Sequence, residues 1–204
     1  MNLSRKLRQS EKRRNLLVVL SGPSGVGKDT LLKRLIEVCP GTERAVTYTT
    51  RDPRPDEVAG VDYNFVSIGE FRRMAERGDF LEYAEVHGNL YGSSLQAIRE
   101  AHEKGLDVVL KIDVQGGLTV KQKVPEAVMI FVAPPSLEAL ELRLRARHTD
   151  AEADVTRRLL DARREIEQVP KYQYLVVNDE VETAADKVRA IIVAERTRIT
   201  SDDD

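Results

Sequence analysis

Leu16-Leu17-Val18-Val19-Leu20-Ser21-Gly22-Pro23-Ser24-Gly25-Val26-Gly27-Lys28 is the stretch that decides the fold. Its first five residues are an unbroken apolar run, suited to a strand buried on both faces of a parallel sheet. The run leads into Gly22 to Lys28, which satisfies the G-x-x-x-x-G-K pattern of a Walker A loop. Lys28 to Val38 then reads as an amphipathic helix, ended by Pro40-Gly41. The order strand, glycine loop, helix gives each part a physical task. Glycines let backbone N–H groups turn inward around phosphate oxygens, and the helix points its positive end at them. Lys28 is placed to bridge the β- and γ-phosphates of a nucleotide. Gly22, Pro23, Ser24, Gly25, Val26, Gly27 and Lys28 are therefore the expected phosphate cradle. The pattern asks for Ser or Thr after the lysine, to help hold Mg2+, and this chain has Asp29 followed by Thr30. Three roles stay open for Asp29: direct contact with the metal, contact through water, or a solvent-facing place at the helix start.

Outward from this unit, the texture changes between Ala45 and about Leu95. Short β-rich pieces (Ala45 to Thr50, Tyr63 to Val66, Phe80 to Val86) are separated by turn chemistry at Asp52-Pro53-Arg54-Pro55, Ala59-Gly60 and His87-Gly88-Asn89. A helix from Ile68 to Arg77 interrupts them, so a small mixed lobe is expected to be inserted after the first βα unit. The α/β alternation then resumes. Leu95 to Lys104 reads as a helix, Leu106 to Ile112 as a buried strand ending at Asp113, and a short helix is expected after Gly116-Gly117. Ala127 to Val132 reads as a further strand, and Ser136 as the cap of a helix carrying Leu137, Leu140 and Leu144 on one face. Leu142 to Arg164 is arginine-rich and helical, with a polar break at His148-Thr149-Asp150. Tyr174 to Val177 and Glu182 to Arg198 complete the pattern, which implies a parallel sheet covered by helices on both faces.

Several side chains in this frame carry chemistry. Arg51 and Arg54 offer planar, multidentate donors on a proline-stiffened loop, suited to a phosphate dianion. Tyr63 and Tyr91 add neutral hydroxyls. Asp113, at the end of a buried strand, faces the phosphates from a switch point or simply caps the turn at Gly116.

The joint occurrence of Thr47-Tyr48-Thr49-Thr50-Arg51-Asp52-Pro53-Arg54-Pro55, Gly60-Val61-Asp62-Tyr63-Asn64-Phe65, Phe80-Leu81-Glu82-Tyr83-Ala84 and Asn89-Leu90-Tyr91-Gly92-Ser93 closely resembles the GMP-binding lobe of guanylate kinases. The likeness runs from about Leu16 to Asp179. It implies an α/β fold: a P-loop three-layer core with a parallel sheet, an inserted mixed α/β GMP-binding lobe at 45–95, and a helical arginine-rich lid at about 142–164. It implies one domain over 16–200, between a basic extension at 1–15 and a disordered tail at 201–204. The implied reaction moves the γ-phosphate of ATP, with Mg2+, onto GMP. By the same resemblance Arg51, Arg54, Tyr63 and Tyr91 hold the GMP phosphate, and Glu82, Thr47 and Ser93 read guanine. Guanine shows adjacent N1–H and N2–H2 donors that one carboxylate accepts together, whereas adenine has no such pair. Asp113 matches the family's I-D-x-Q-G aspartate, near the acceptor and either the metal or the base. Many relatives have an acid two residues earlier, where this chain has Lys111. Arg143, Arg147 and Arg158 resemble the lid arginines, although the family's R-G-T-x-T turn here reads Arg147-His148-Thr149-Asp150. Asn178 resembles the residue beside the donor adenine. The main alternative is a module that keeps this fold, binds peptides and has lost catalysis; the intact loop and arginine pair speak against it.

Bulk properties narrow the partners. The chain has 204 residues, 41% hydrophobic and 32% charged, enough to bury a core without a disulfide or metal. Cys39 is the only cysteine, which fits a reducing cytoplasm. A net charge of -2 gives no general attraction to nucleic acid, and no stretch approaches the length of a membrane span. ATP and GMP are the expected partners of a monomer or homodimer, with neither nucleic acid nor membrane. The basic first fifteen residues could touch anionic surfaces or serve as a targeting peptide, but a solvated extension is the favoured reading, since no apolar h-region or cleavage pattern follows.

Overall fold

In the computed structural model, which describes residues 15–55, 57–86, 88–146 and 152–199, the first apolar run is strand β1 (Leu17–Ser21) at the centre of a parallel sheet. The other strands are β2 (Thr42–Arg44), β7 (Asp107–Lys111), β8 (Val128–Ala133) and β9 (Tyr174–Val177), in the order β2-β7-β1-β8-β9. Val19 lies opposite Leu110 on one side and Met129 on the other. Because side chains alternate along a strand, Leu16, Val18 and Leu20 pack to one face and Leu17 and Val19 to the other. The first face is covered by α1 (Lys28–Val38), through Leu31 and Leu35, and by α7 (Val181–Glu195), through Val188 and Ile192. The second face is covered by α3 (Leu95–Glu103), through Ile98 and Ala101, and α4 (Val114–Lys123), through Val120. Two apolar layers around one sheet make the expected three-layer core.

Asp107, fully buried at the start of β7, is paired with Arg196 just beyond α7 at 2.6 Å. It also accepts a 2.9 Å hydrogen bond from the Leu16 backbone N–H. A buried carboxylate is tolerated where its partners are supplied; here they tie the last helix to the central strands.

The second sheet has the order β4-β3-β6-β5, built from β3 (Tyr48–Thr49), β4 (Asn64–Phe65), β5 (Phe80–Val86) and β6 (Asn89–Ser94). Helix α2 (Ile68–Glu76) packs on it through Phe71 and Met74, against Phe80. Ser67 caps this helix by accepting a 3.1 Å hydrogen bond from the Glu70 N–H. The remaining helices are α5 (Leu137–Arg145) and α6 (Glu152–Ile166), joined by Leu140, Leu144, Val155 and Ala162.

Three elements depart from the sequence reading. The strand expected from Ala45 to Thr50 is a crossing: Ala45 still donates to Val109 O at 3.1 Å in the main sheet, and Tyr48 has already joined the second. Asn89–Ser94, of which the sequence reading placed only Asn89, in a turn, is the strand that pairs with both β5 and β3. Its Gly92 is required because a Cβ there would stand 3.0 Å from the Phe71 and Phe80 rings. Helix α4 starts before Gly116-Gly117 rather than after them, since Asp113 caps it by accepting from the Gly116 N–H at 2.9 Å. Both glycines lie in a helix because neighbouring groups crowd it. A Cβ on Gly116 would meet Glu82 Oε2 at 2.7 Å, and one on Gly117 would meet Tyr172 Oη at 2.9 Å.

Candidate active site

The glycine loop is compressed between the core and its neighbours. Gly22 has φ +144°, and a Cβ there would fall 2.1 Å from Val132 O. Gly27 has φ +94° and ends the loop as the residue preceding α1; a Cβ would meet Asn178 Nδ2 at 2.7 Å. Lys28 curls back over the loop, donating to the carbonyls of Gly22 and of Pro23, the latter at 3.0 Å. Burial pushes its pKa down to about 8; the nearby Lys111 adds to this, while Glu165, Asp29 and Asp113 oppose it. Val26 is buried and its carbonyl accepts from Asn178 Nδ2 at 2.8 Å, so the turn after β9 holds the loop from behind. Ser24 is exposed at the tip, and Asp29 and Thr30 are exposed on the first turn of α1.

On the acceptor side, β5 and β6 pair Glu82 with Ser93 in register, both buried. Ser93 Oγ donates to Glu82 Oε1 at 2.6 Å. Burial raises the Glu82 pKa to about 7, with Asp113 adding to the rise against the Ser93 hydrogen bond and Lys123. Thr47 is buried one residue before β3, whose Tyr48 pairs with Gly92 beside Ser93. Thr47 thus shares a sheet neighbourhood with the carboxylate, without a hydrogen bond to it among the described contacts.

Arg51, Tyr63 and Tyr91 converge. The Arg51 guanidinium stands 5.3 Å from the Tyr63 ring centre, and the Tyr63 and Tyr91 rings are 6.0 Å apart, edge to face. Arg51 makes a two-pronged ion pair with Glu57, at 2.9 and 2.7 Å. Glu57 also accepts from the Arg54 N–H at 2.8 Å, which folds the proline-rich turn around it. Hydrogen bonding to Glu57 holds the Arg51 pKa above the ordinary guanidinium range, and Tyr91 adds to it. The Arg54 side chain is exposed, and its charge acts on Glu57 electrostatically. Glu57 was not singled out in the sequence; it is one of three acids, with Asp52 and Asp56, in the six residues after Arg51, and nothing local marks it among them.

Lys111 and Asp113 stand where the halves meet. The Asp113 carboxylate caps α4 and interacts electrostatically with Lys28, Glu82 and Glu165. The capping alternative therefore holds, and the same carboxylate still lies between donor and acceptor groups. Lys111 Nζ pairs with Asp29 Oδ1 and donates to Tyr63 Oη at 2.9 Å. Burial alone would raise the Asp29 pKa, but Lys111, followed by Arg44 and Lys28, holds it below the usual carboxylate range.

The helical arginines take different places. Arg143, on α5, lies on the donor loop and donates to Asn178 O at 3.0 Å and Val26 O at 3.3 Å. Arg158 is half-buried on α6, and Glu165 follows it by two helical turns on the same side. Burial raises the Glu165 pKa to about 7, with Asp113 and Asp161 adding to the rise and Lys28 opposing it. Sequence reasoning missed Glu165, since nothing in an arginine-rich helix marks which acid turns inward. Arg147 and the His148-Thr149-Asp150 break lie outside the described residues.

A parallel sheet with a glycine loop after its central strand, a lysine inside that loop and a cationic acceptor lobe define a P-loop nucleotide phosphotransferase. Comparison narrows the class. The family model described as Guanylate kinase matches residues 13–195, and the chain belongs to that family. A guanylate kinase of Myxococcus xanthus is 50% identical over 184 residues, covering 90% of this chain and 88% of its own. One of Caldanaerobacter subterraneus subsp. tengcongensis is 46% identical over 195 residues, covering 96% and 95%. The crystal structure of guanylate kinase from Anaplasma phagocytophilum matches with a TM-score of 0.75 at 34% identity, covering 92% of this chain and 89% of that one.

Proposed function

We propose that the site performs the family's reaction, ATP + GMP → ADP + GDP, with the loop from Gly22 to Thr30 as donor site and the second sheet as acceptor site. The observation that carries this reading is the contact between the halves. Tyr63 of the acceptor lobe touches Lys111, which touches Asp29, one residue from the loop lysine. Two phosphates bound on either side would be neighbours.

Phosphoryl transfer leaves the protein little covalent work, so positioned charge supplies most of the rate. Lys28 swings from the carbonyls of Gly22 and Pro23 onto the β- and γ-phosphates of ATP. Val26, Asn178 and Arg143 brace the loop, and Asn178 flanks the adenine. Asp113, between Lys28 and Glu82, orients the acceptor relative to the donor. Arg158, with Arg147, serves the migrating phosphoryl group when the lid closes. Closure excludes water, which would otherwise compete with the acceptor. The phosphate of GMP attacks as an ionised nucleophile, so no dedicated base is needed.

Among the described residues no three His, Cys, Asp or Glu side chains gather to hold an ion. Mg2+ accompanying ATP would be held mainly by the nucleotide's own phosphates and would supply neutralising charge there. Thr30, at the start of α1, is the residue that would reach toward it, since the Asp29 carboxylate is paired with Lys111. No helix among the described residues is long and apolar enough to cross a membrane. Together with the lone buried thiol of Cys39, this supports a cytoplasmic site of action on these two nucleotides.

In the acceptor site Arg51, Tyr63 and Tyr91 take the phosphate, with Arg54 closing from the exposed side of the turn. Glu82 takes guanine N1–H and N2–H2, while Ser93 and Thr47 serve O6. Arg51→Met tests this assignment, because GMP and guanosine differ only in the phosphate. It is expected to raise KM for GMP by about 30-fold or more and to leave guanosine binding, followed by calorimetry, within about twofold. Equal losses for both ligands would move Arg51 out of the phosphate site.

A further inference from the structure

Two sequence departures, Asp29 after the loop lysine and Lys111 in the switch strand, meet in space. The Lys111 side chain is 7% exposed, at the end of a buried strand whose middle residues, Val108 to Leu110, are apolar. Burying an ammonium is costly unless its donors are used. It has three N–H donors, and two have partners among the described residues: Asp29 Oδ1 and Tyr63 Oη. Asp29 itself is 69% exposed, so the pair is only half withdrawn from solvent.

The surroundings show what the third donor serves. Three cations stand around the Tyr63 ring: Lys111 at 4.8 Å, Arg51 at 5.3 Å and Arg44 at 5.8 Å from its centre. Each is tethered by one carboxylate: Asp29 for Lys111, Glu57 for Arg51 and Asp62 for Arg44. Lys111, unlike the two arginines, also hydrogen-bonds the Tyr63 hydroxyl itself. It is further close enough to Lys28 to disfavour that lysine's charge. A dianion between them would relieve that repulsion.

We propose that Lys111 is a ligand of the acceptor phosphate, placed at the junction of the two nucleotide sites and held there by Asp29 and Tyr63. Asp29 then acts as a positioning carboxylate for Lys111, and the two departures form one compensated charge exchange across the site. This rests on the acceptor-site reading above.

Lys111→Met removes the charge and keeps much of the side-chain volume. Titrations of GMP and of guanosine into the ATP-free protein, followed by calorimetry, separate phosphate recognition from base recognition. A charged hydrogen bond to phosphate is expected to be worth about tenfold or more. The expected result is at least a tenfold weaker GMP affinity, with guanosine affinity within about twofold of the parent protein. In turnover the loss should appear mainly in KM for GMP, with KM for ATP nearly unchanged. If the methionine variant does not fold, Lys111→Gln, which drops the charge but keeps hydrogen-bonding capacity, gives the same comparison. GMP affinity unchanged in the variant, or GMP and guanosine affinities lost together, overturns the proposal. Failure of the parent protein to bind either ligand overturns the acceptor-site reading with it, which is distinguishable from failure of Lys111 alone.

Discussion

Lys28→Met is expected to lower kcat by about 10³-fold while leaving GMP binding within about twofold. The lysine is buried inside the glycine loop, where its ammonium rests on the carbonyls of Gly22 and Pro23. Among the described residues no carboxylate is paired with it directly, so the cation is free to move onto phosphate oxygens when ATP arrives. Its pKa of about 8 in the unliganded protein leaves it mostly charged at neutral pH, and polyphosphate nearby would raise that value. A low-dielectric loop makes a cation aimed at developing charge worth far more than one in water. Methionine keeps most of the volume, so the loop should survive with its glycine geometry. Steady-state kinetics with calorimetry for GMP would check both halves; a kcat loss under tenfold would remove Lys28 from the charge-stabilising role.

Glu82→Gln is expected to reduce kcat/KM for GMP by about 10²- to 10³-fold and to narrow the preference over AMP by a similar factor. The carboxylate is buried on β5, fixed by Ser93 and packed against Gly116, where a Cβ would stand 2.7 Å from its Oε2. A glutamine there presents one acceptor and an unwanted NH2 donor to guanine's two donors. Undiminished GMP turnover would contradict the base-recognition assignment.

The same carboxylate makes a pH prediction. Its pKa in the unliganded protein is raised to about 7 from an ordinary 4.5, because burial disfavours the charge. The folded state therefore binds this proton more tightly than the unfolded chain does. The stability it contributes is full below about 4.5 and lost as pH rises through about 7. Guanine needs the ionised form, so the two effects oppose each other: guanosine affinity should fall as pH drops below about 7. Guanosine is the better probe than GMP, whose own phosphate titrates near pH 6 by analogy with phosphorylated side chains, about one unit lower. Glu82→Gln should flatten the profile, and a slope that persists in that variant would assign it to another group.

The core was legible because its signals are local and strong. An all-apolar run such as Leu16 to Leu20 followed by Gly22 to Lys28 admits few other structures. Ser67, Ser94 and Ser136 each cap the helix that follows them, by accepting from the Glu70, Ala97 and Ala139 N–H groups. What was hidden depends on distant partners. Strand β6 contains Gly92 and two serines, so its identity as a strand comes from Phe71, Phe80 and the pairing with β5, not from its own propensity. Gly116 and Gly117 look like a helix breaker until Glu82 and Tyr172 are seen against them. In the site, Glu82, Ser93, Arg51, Tyr63 and Tyr91 were all named from the sequence. Glu57, which holds Arg51, and Glu165, which interacts electrostatically with Lys28, were not. An acid that holds an arginine has no pattern of its own, since its role exists only once the chain has folded. Lys111 stood out only as a lysine where many relatives have an acid, and its partner Asp29 lies 82 positions away.

The most direct test of the whole account is ADP release, coupled to a reporter enzyme, with ATP and Mg2+ and a panel of GMP, dGMP, AMP, CMP, UMP and ribose 5-phosphate. Turnover with the guanine nucleotides, and at most trace rates with the others, is the predicted result. Equal turnover of AMP and GMP, or measurable GMP binding without ADP release from any acceptor, would contradict it.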